Sequence, residues 1–169
     1  MNIIWFIIGG VVAVVVIILV LFLIARSKGK IVIGLQKYNF APGEIVSGTI
    51  NLKLKKQVQA KGLKVGLLGM LRNTQYSGGG RNTSYQKVFE FKQPLDGEKT
   101  YPVGEKTYNF KIKIPKDILS SRYLQGAMGT AIKAVQILSG NISSIRWYIT
   151  SNLEMPGFDI SKKTQINIG

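Results

Sequence analysis

The sequence predicts a mainly β protein, an antiparallel β-sandwich that follows one N-terminal transmembrane helix. Three observations lead to this prediction. An uncharged apolar run covers residues 3–25, short segments of alternating apolar and polar residues fill most of the chain beyond residue 30, and residues typical of turns separate those segments. One further segment, residues 124–138, has a helical period and predicts a short helix inserted in the sandwich.

The apolar run is long enough to cross a membrane. It has 23 positions, of which 18 are Ile, Val, Leu or Phe. A helix of that length reaches about 35 Å, whereas the hydrocarbon core of a bilayer is about 30 Å thick. A cleaved signal peptide is the rival interpretation, but such a peptide has a basic start and a shorter apolar stretch. We therefore expect an uncleaved anchor.

The charges beside the run predict its orientation. Arg26, Lys28 and Lys30 follow it directly, whereas the two residues before it are not basic. Basic residues favour the cytoplasmic side of a bilayer, and the absence of cysteine agrees with a reducing compartment. We expect a single-pass protein of the cell membrane, with an outside tail at residues 1–2, a transmembrane helix at 3–25, a basic linker at 26–30 and one cytoplasmic β-sandwich domain at 31–169.

Seven segments carry the two-residue period of half-buried strands, in which every second side chain faces the core. In the second of them, Val46, Ile50 and Leu52 alternate with polar residues. The predicted strands are 31–35, 46–55, 63–71, 88–91, 108–114, 145–150 and 164–168. Short strands separated by turn residues are typical of an antiparallel sandwich.

Three segments lack this period. Residues 39–44 form a predicted turn, because Pro42 and Gly43 are adjacent there. Residues 72–86 form a longer predicted loop, whose three consecutive glycines are typical of a flexible hairpin tip. In residues 124–138, apolar side chains recur every three or four positions, and we expect this helix to cover one end or edge of the sandwich.

The charge balance is strongly basic. The chain has 23 Lys and Arg against 8 Asp and Glu, a net charge of +15, and every charged residue lies beyond residue 25. Such a domain attracts anionic headgroups when it is tethered to a bilayer, although an ordinary solvated surface is the alternative. We predict a basic patch on the outward faces and the connection of two neighbouring strands, extended by a third strand, as a candidate site for anionic lipid or an acidic partner. Its residues are Lys53, Lys55, Lys56, Lys61, Lys64, Lys111 and Lys113.

Four motifs follow one another along the β region. The first, at 38–50, places an aromatic residue before Pro-Gly-Glu and continues as an alternating strand. The second, at 61–69, is a strand that ends in Gly69. The third, at 101–115, has Pro-x-Gly, an aromatic-x-Phe pair and a final Ile-Pro. The fourth, at 145–153, is an alternating strand followed by Pro156 and Asp159. In this order they resemble the N-terminal domain of arrestins and arrestin-like proteins.

The resemblance implies an immunoglobulin-like (arrestin-like) β-sandwich and a binding role. Arrestins extend a loop toward receptors at about the position of residues 72–86, so the resemblance implies a contact loop there. Arrestins contain two such domains and this chain has room for one, so no phosphate-sensing residue is carried over. The candidate contact residues are Arg72, Tyr76, Gly78, Gly79, Gly80, Arg81 and Tyr85.

Several residues of the motifs have direct physical explanations. Pro42 presets the turn, Gly43 accepts an unusual backbone angle, and Pro115 ends a strand because it has no N–H to donate. Glycines at inward strand positions permit a bulge or a close approach, and Trp147 is the largest inward side chain. The residues expected to specify the fold are Pro42, Gly43, Glu44, Gly48, Gly69, Phe110, Pro115, Trp147 and Tyr148.

The composition argues against catalysis. The chain has neither His nor Cys, so the commonest general base, the thiol nucleophile and the soft metal ligands are missing. We expect no cofactor and no metal, and we expect a membrane-tethered adaptor that recruits a protein partner, for example by strand addition to a sheet edge. An extracellular pilin-like subunit is the alternative. The basic residues are spread over strands, which does not favour specific nucleic-acid binding, and the sequence does not specify the oligomeric state.

Overall fold

The computed structural model describes residues 28–77, 80–119 and 145–169, and the side chains of all these residues except 73–77 and 80–82. The predicted outside tail, the transmembrane helix at 3–25 and the inserted helix at 124–138 lie outside the described residues. Within the described residues, no helix has the length and the apolar character needed to cross a bilayer.

Ten strands lie in the described part of the chain. All seven predicted strands are confirmed, and three further strands of two or three residues are too short to carry a readable period. The strands are β1 (Gly29–Leu35), β2 (Asn39–Phe40), β3 (Ile45–Leu54), β4 (Val58–Ala60), β5 (Gly62–Ser77), β6 (Gly80–Asp96), β7 (Lys99–Tyr101), β8 (Gly104–Lys113), β9 (Ile145–Glu154) and β10 (Ile160–Ile168).

These strands form two larger sheets and one small one. The first sheet has the order β1-β3-β8, the second has the order β2-β10-β9-β5-β6, and β4 pairs with β7. Strand neighbours are antiparallel, except that β2 and β10 are parallel. The prediction of a mainly β, antiparallel fold is confirmed.

The alternation of the sequence accounts for the core between the two larger sheets. Along β9, every second residue from Ile145 to Leu153 is buried. In the other sheet, Val46 and Ile50 of β3 have no exposed surface and belong to the same core. Burial of one such aliphatic side chain stabilises the fold by about 1.5–3 kcal/mol relative to leaving it exposed. The apolar face of each strand is therefore the one that turns toward the core.

The Trp147 side chain is 2% exposed, and both an aromatic ring and a glycine backbone approach it closely. The ring of Phe89 meets its ring edge-on, with centroids 5.8 Å apart. A Cβ atom on Gly69 would lie 2.6 Å from the Trp147 ring, and the register between β5 and β6 shifts at this residue. The close approach of the indole therefore explains the glycine at position 69.

The turn before β3 explains the Pro-Gly-Glu sequence. Gly43 has φ +88°, a left-handed conformation that favours glycine. The Glu44 carboxylate accepts hydrogen bonds from Lys37 Nζ at 2.8 Å and from the Ala41 backbone N–H at 2.7 Å. Those bonds, the one from Lys37 first, lower the pKa of Glu44. Among the other residues expected to specify the fold, Gly48 packs against the ring of Phe110, β8 ends at Lys113 shortly before Pro115, and Tyr148 is half-buried on β9.

The prediction that residues 72–86 form a loop is wrong. Residues 72–77 and 80–86 are paired β-strand, and they lengthen β5 and β6 into one hairpin. The pairing of β5 with β9 stops at Leu71, while its pairing with β6 continues for six more residues to Ser77. This ribbon has polar residues at most positions of both strands, so no alternation marks it in the sequence.

The two ends of the sandwich are built differently. Leu54 lies beside Gly29 and Gly104, at the end where the chain arrives from the linker. We call this the linker end, and it includes the turn after β3, the β4–β7 pair and the turn between β7 and β8. Ile45 lies beside Lys113 at the opposite end, which we call the hairpin end because the β5–β6 hairpin continues past β9 there.

Candidate functional site

The linker end brings two lysines and an exposed valine side by side. The backbone N–H of Lys55 donates to the carbonyl of Lys28 at 2.9 Å. Because Leu54 pairs with both Gly29 and Gly104, the next residue along each strand, namely Lys28, Lys55 and Val103, projects past the same edge of the sheet. Val103 is 61% exposed.

A cavity of about 390 Å³ lies behind this turn, between β3, β7 and β8. Leu52 and Leu54 contribute apolar lining, and the turn residues Pro102 and Val103 form part of its wall. Lys99 and Lys106 lie at its polar side. Each of these two lysines is held over a tyrosine ring: Lys99 Nζ is 5.0 Å from the centroid of Tyr101, and Lys106 Nζ is 4.9 Å from that of Tyr108.

Asp96 holds this group of side chains together. Its carboxylate accepts a hydrogen bond from the Tyr108 hydroxyl at 2.7 Å and forms ion pairs with Lys99 and with Lys106, the latter at 3.7 Å. Burial alone would raise the pKa of Asp96, but the hydrogen bonds from Lys99 and Tyr108 outweigh it and the pKa is lowered. Burial and the bond to Asp96 raise the pKa of Tyr108, so its hydroxyl remains a donor.

At the hairpin end, the β5–β6 hairpin projects from the sandwich as an arm, and its side chains differ in chemistry from those of the linker end. The hairpin extends about 20 Å past its last pairing with β9, at about 3.3 Å per residue. Arg72 lies opposite Tyr85 in the hairpin register, and the guanidinium of Arg146 lies 5.8 Å from the centroid of the half-exposed Tyr85 ring. The chain has no acidic residue at positions 45–89, so the arm is basic and aromatic.

The predicted contact residues are largely brought together by this hairpin. Tyr76 lies opposite Arg81 in the register, as Arg72 lies opposite Tyr85. Gly80 begins β6, whereas Gly78 and Gly79 lie outside the described residues. These residues thus lie along a paired ribbon rather than a loop, and their contact with a partner stays a prediction.

The predicted basic patch is divided by the fold. Lys53, Lys55 and Lys56 lie at the linker end of β3, whereas Lys111 and Lys113 of β8 pair with the residues at the other end of that strand. The strands β3 and β5 belong to different sheets. They are therefore not neighbours, and the prediction that they carry one continuous patch is wrong.

Two patch lysines are already paired with carboxylates. Lys53 lies 3.5 Å from Glu105, and Lys64 lies 2.8 Å from Glu154. Of the predicted membrane flank, Lys28 and Lys30 are at the linker end and Arg26 precedes the described residues. Within the described part of the chain, no ion pair involves the remaining patch members Lys55, Lys56, Lys61, Lys111 and Lys113.

Sequence reasoning missed the cluster formed by Asp96, Lys99, Lys106, Tyr108 and Val103. Its members lie on β6, β7 and β8 and in the turns between them, and they meet because the chain crosses from one sheet to the other through the short β4–β7 pair. The Pro-x-Gly of the third motif was the available signal, since it marks the turn that exposes Val103. In the described residues, no group of three His, Cys, Asp or Glu side chains is placed to hold a metal ion.

Comparison with known proteins identifies the family. The family described as "Arrestin (or S-antigen), N-terminal domain" matches residues 29–168. The chain belongs to the arrestin family. Among solved structures, this arrestin-like domain is similar to Spo0M, a sporulation control protein from Bacillus subtilis, with 20% sequence identity and a TM-score of 0.55. The similarity covers 83% of this chain and 49% of Spo0M, so the chain spans about half the length of that protein. No curated protein matches the sequence.

Proposed function

We propose that this arrestin-like protein is a membrane-tethered, non-catalytic adaptor of the cell membrane. Residues 3–25 anchor it, the linker end of the domain lies against anionic lipid on the cytoplasmic side, and the hairpin recruits a protein partner. The observation that carries the proposal is the opposite placement of these two features on one sandwich. The chain arrives at one end, and the basic, aromatic hairpin leaves from the other.

The arrangement suits an adaptor because it separates the two contacts. The β3 strand has 10 residues, which at about 3.3 Å per residue gives about 30 Å between the two ends. A partner bound at the hairpin is therefore held away from the bilayer surface, beyond the range in which headgroup charge acts in physiological salt, since the Debye length there is about 8 Å. The lipid contact and the partner contact do not compete for the same surface.

A non-catalytic role is supported by the family and by the side chains. Arrestin-like domains are generally binding modules, and the Asp96 carboxylate at the linker end is engaged by two lysines and a tyrosine. A carboxylate held in its charged form by such partners is a poor general acid. The name of Spo0M describes a regulatory protein, which agrees with an adaptor without assigning a pathway to this chain.

Carbonate extraction and protease protection test the anchor and its orientation. We expect the full-length protein to stay with the membrane pellet in carbonate, and its domain to resist protease added to intact cells. Release by carbonate would contradict the anchor. Digestion from outside would contradict the orientation and favour an extracellular, pilin-like subunit.

Co-purification in mild detergent tests partner recruitment. The full-length protein is compared with the double variant Arg72→Ala/Tyr85→Ala and with the matched control Lys111→Ala/Lys113→Ala, which alters the same end of the sandwich away from the hairpin. We expect a protein that co-purifies with the wild type and the control to be lost from the hairpin variant. Equal recovery from all three would contradict the role of the hairpin.

A further inference from the structure

We propose that the turn between β7 and β8 docks into an anionic lipid surface, with Val103 entering the interfacial layer and the surrounding lysines contacting the headgroups. This proposal depends on one part of the proposed function, namely that residues 3–25 are inserted in a bilayer. It adds a second, specific membrane contact to the anchor, and it fixes which way the domain faces.

The chain length limits how far this turn can lie from the membrane. Three residue steps separate Ala25, the end of the apolar run, from Lys28, and they span at most about 10 Å. Val103 lies two strands away from Lys28 across the sheet, which adds about 10 Å at the usual strand spacing. Val103 is therefore within about 20 Å of the end of the apolar run, whatever the conformation of the linker.

The turn presents its apolar side chain on a rigid support. Val103 has the largest exposed fraction among the large apolar side chains of the described residues. Pro102 restricts the backbone before it, and Gly104 after it has φ +128°, which only glycine adopts readily. Tyr101 holds the start of the turn in place, because its ring is buried and its hydroxyl donates a hydrogen bond to the Gly97 carbonyl at 2.9 Å. A valine held in this way enters an apolar environment without first ordering a loop.

The charges around the valine match an anionic surface. Three lysines lie on one side of the turn, namely Lys28, Lys55 and Lys56. None of them forms an ion pair within the described residues. On the other side, Lys99 and Lys106 pair with Asp96, and Glu98 and Glu105 are their chain neighbours. The positive charge next to the valine therefore comes from Lys28, Lys55 and Lys56. Basic residues close to a membrane attract acidic headgroups, while Val103 gains by leaving water.

An acidic protein is a less suitable occupant of this surface than lipid. The linker leaves a gap of about 10 Å at most between Lys28 and the apolar run, which is about the diameter of one helix with its side chains. A folded partner would have to enter that gap beside the anchor, whereas the headgroup layer already occupies it. We therefore assign the surface to anionic phospholipid.

An environment-sensitive probe at Val103 tests the proposal in the full-length protein. The chain contains no cysteine, so Val103→Cys provides a unique site for an NBD label. Ile45→Cys is the matched control, because Ile45 is also an exposed aliphatic residue, at 54%, and lies at the hairpin end. Each labelled protein is reconstituted in nanodiscs of phosphatidylcholine alone and of phosphatidylcholine with phosphatidylserine.

We expect the NBD emission of the Val103 site to shift to shorter wavelength, and to be quenched by spin-labelled lipid, in phosphatidylserine nanodiscs. We expect the Ile45 site to remain aqueous. Adding Lys55→Glu/Lys56→Glu to the Val103 probe should abolish the shift. An aqueous Val103 probe in reconstituted protein would overturn the proposal, as would equal quenching at both sites or equal contact without phosphatidylserine. Protection of Val103 by a co-purified acidic protein rather than by lipid would also overturn it.

The outcomes separate this proposal from the proposed function. If the wild-type chain is extracted by carbonate, the anchor itself is refuted. If the chain is retained and Val103 stays in water, the docking of the turn is refuted while the anchor stands.

Discussion

The linker end and the hairpin end are both basic, but they present their charge in different ways. At the linker end, lysines surround a short rigid turn with one exposed valine, and a buried tyrosine roots that turn. At the hairpin end, arginine and tyrosine lie on a ribbon that extends about 20 Å past the sheet. The first arrangement suits a flat, diffuse anionic surface, whereas the second suits a partner that surrounds an arm. Net charge alone does not distinguish these two uses.

The interiors of the two ends differ as well. Near the hairpin end the core is apolar, with the Trp147 indole against Phe89 and Gly69. At the linker end the two sheets are joined by a polar contact, the hydrogen bond from Tyr108 on β8 to Asp96 at the end of β6. The stability of the two ends should therefore respond to different substitutions and to different solution conditions.

Truncation of Trp147 should have the largest effect on stability. Trp147→Ala removes a buried indole and leaves a cavity beside Phe89 and Gly69, at an expected cost of about 3–5 kcal/mol in unfolding free energy. Urea titration of the detergent-solubilised protein measures it. The neighbouring, half-buried Tyr148→Ala is the control and should cost clearly less. Equal losses for the two variants would contradict the inward assignment of Trp147.

Loss of the Tyr108 hydroxyl should have a smaller effect, confined to the linker end. Tyr108→Phe removes a hydrogen bond to a charged acceptor, and we expect it to cost about 1–2 kcal/mol in unfolding free energy. Tyr85→Phe, on an exposed ring, should leave the unfolding free energy unchanged. A Tyr108→Phe protein as stable as the wild type would show that the contact with Asp96 does not hold the sheets together.

The contribution of the Asp96 carboxylate to the unfolding free energy should disappear in acid. Its folded-state pKa lies below the ordinary value of 3.8, so its stabilising effect is complete above that value and is lost as the pH falls through the folded-state pKa. The difference in unfolding free energy between the wild type and Asp96→Asn should therefore be constant near neutral pH, and it should fall toward zero at strongly acidic pH. A difference that widens on acidification would reverse the assigned sign.

Charge reversal should have the smallest effect on stability and the clearest effect on the comparison of the two ends. Lys55→Glu/Lys56→Glu and Lys111→Glu/Lys113→Glu change the same charge at opposite ends, and each should alter the unfolding free energy by about 0.5 kcal/mol or less. Only the first pair should weaken the contact of the domain with phosphatidylserine nanodiscs, by about 1 kcal/mol for each lysine. Equal weakening by both pairs would mean that the bound face is not the linker end.

The sequence predicted the strands that have one face in the core, because burial imposes a two-residue period on them. Thus β3 and β9 were predicted within a few residues, and Gly69 and Trp147 were recognised as core positions. The ribbon beyond Leu71 was missed, because a strand exposed on both faces has no such period. The lysine patch was misplaced because alternation reports which way a side chain faces but not which strand lies beside it. The pairing of β3 with β8 rather than β5 is set by long-range packing.

The distance of each end from the bilayer is the most direct test of the two-ended arrangement. Single labels at Val103→Cys and at Tyr85→Cys in the full-length protein are compared by energy transfer to acceptors in the headgroup layer of phosphatidylserine-containing nanodiscs. We predict strong transfer from Val103 and much weaker transfer from Tyr85, since the two ends of β3 alone are separated by about 30 Å. Equal transfer from the two sites, or stronger transfer from Tyr85, would contradict the placement of the linker end on the membrane.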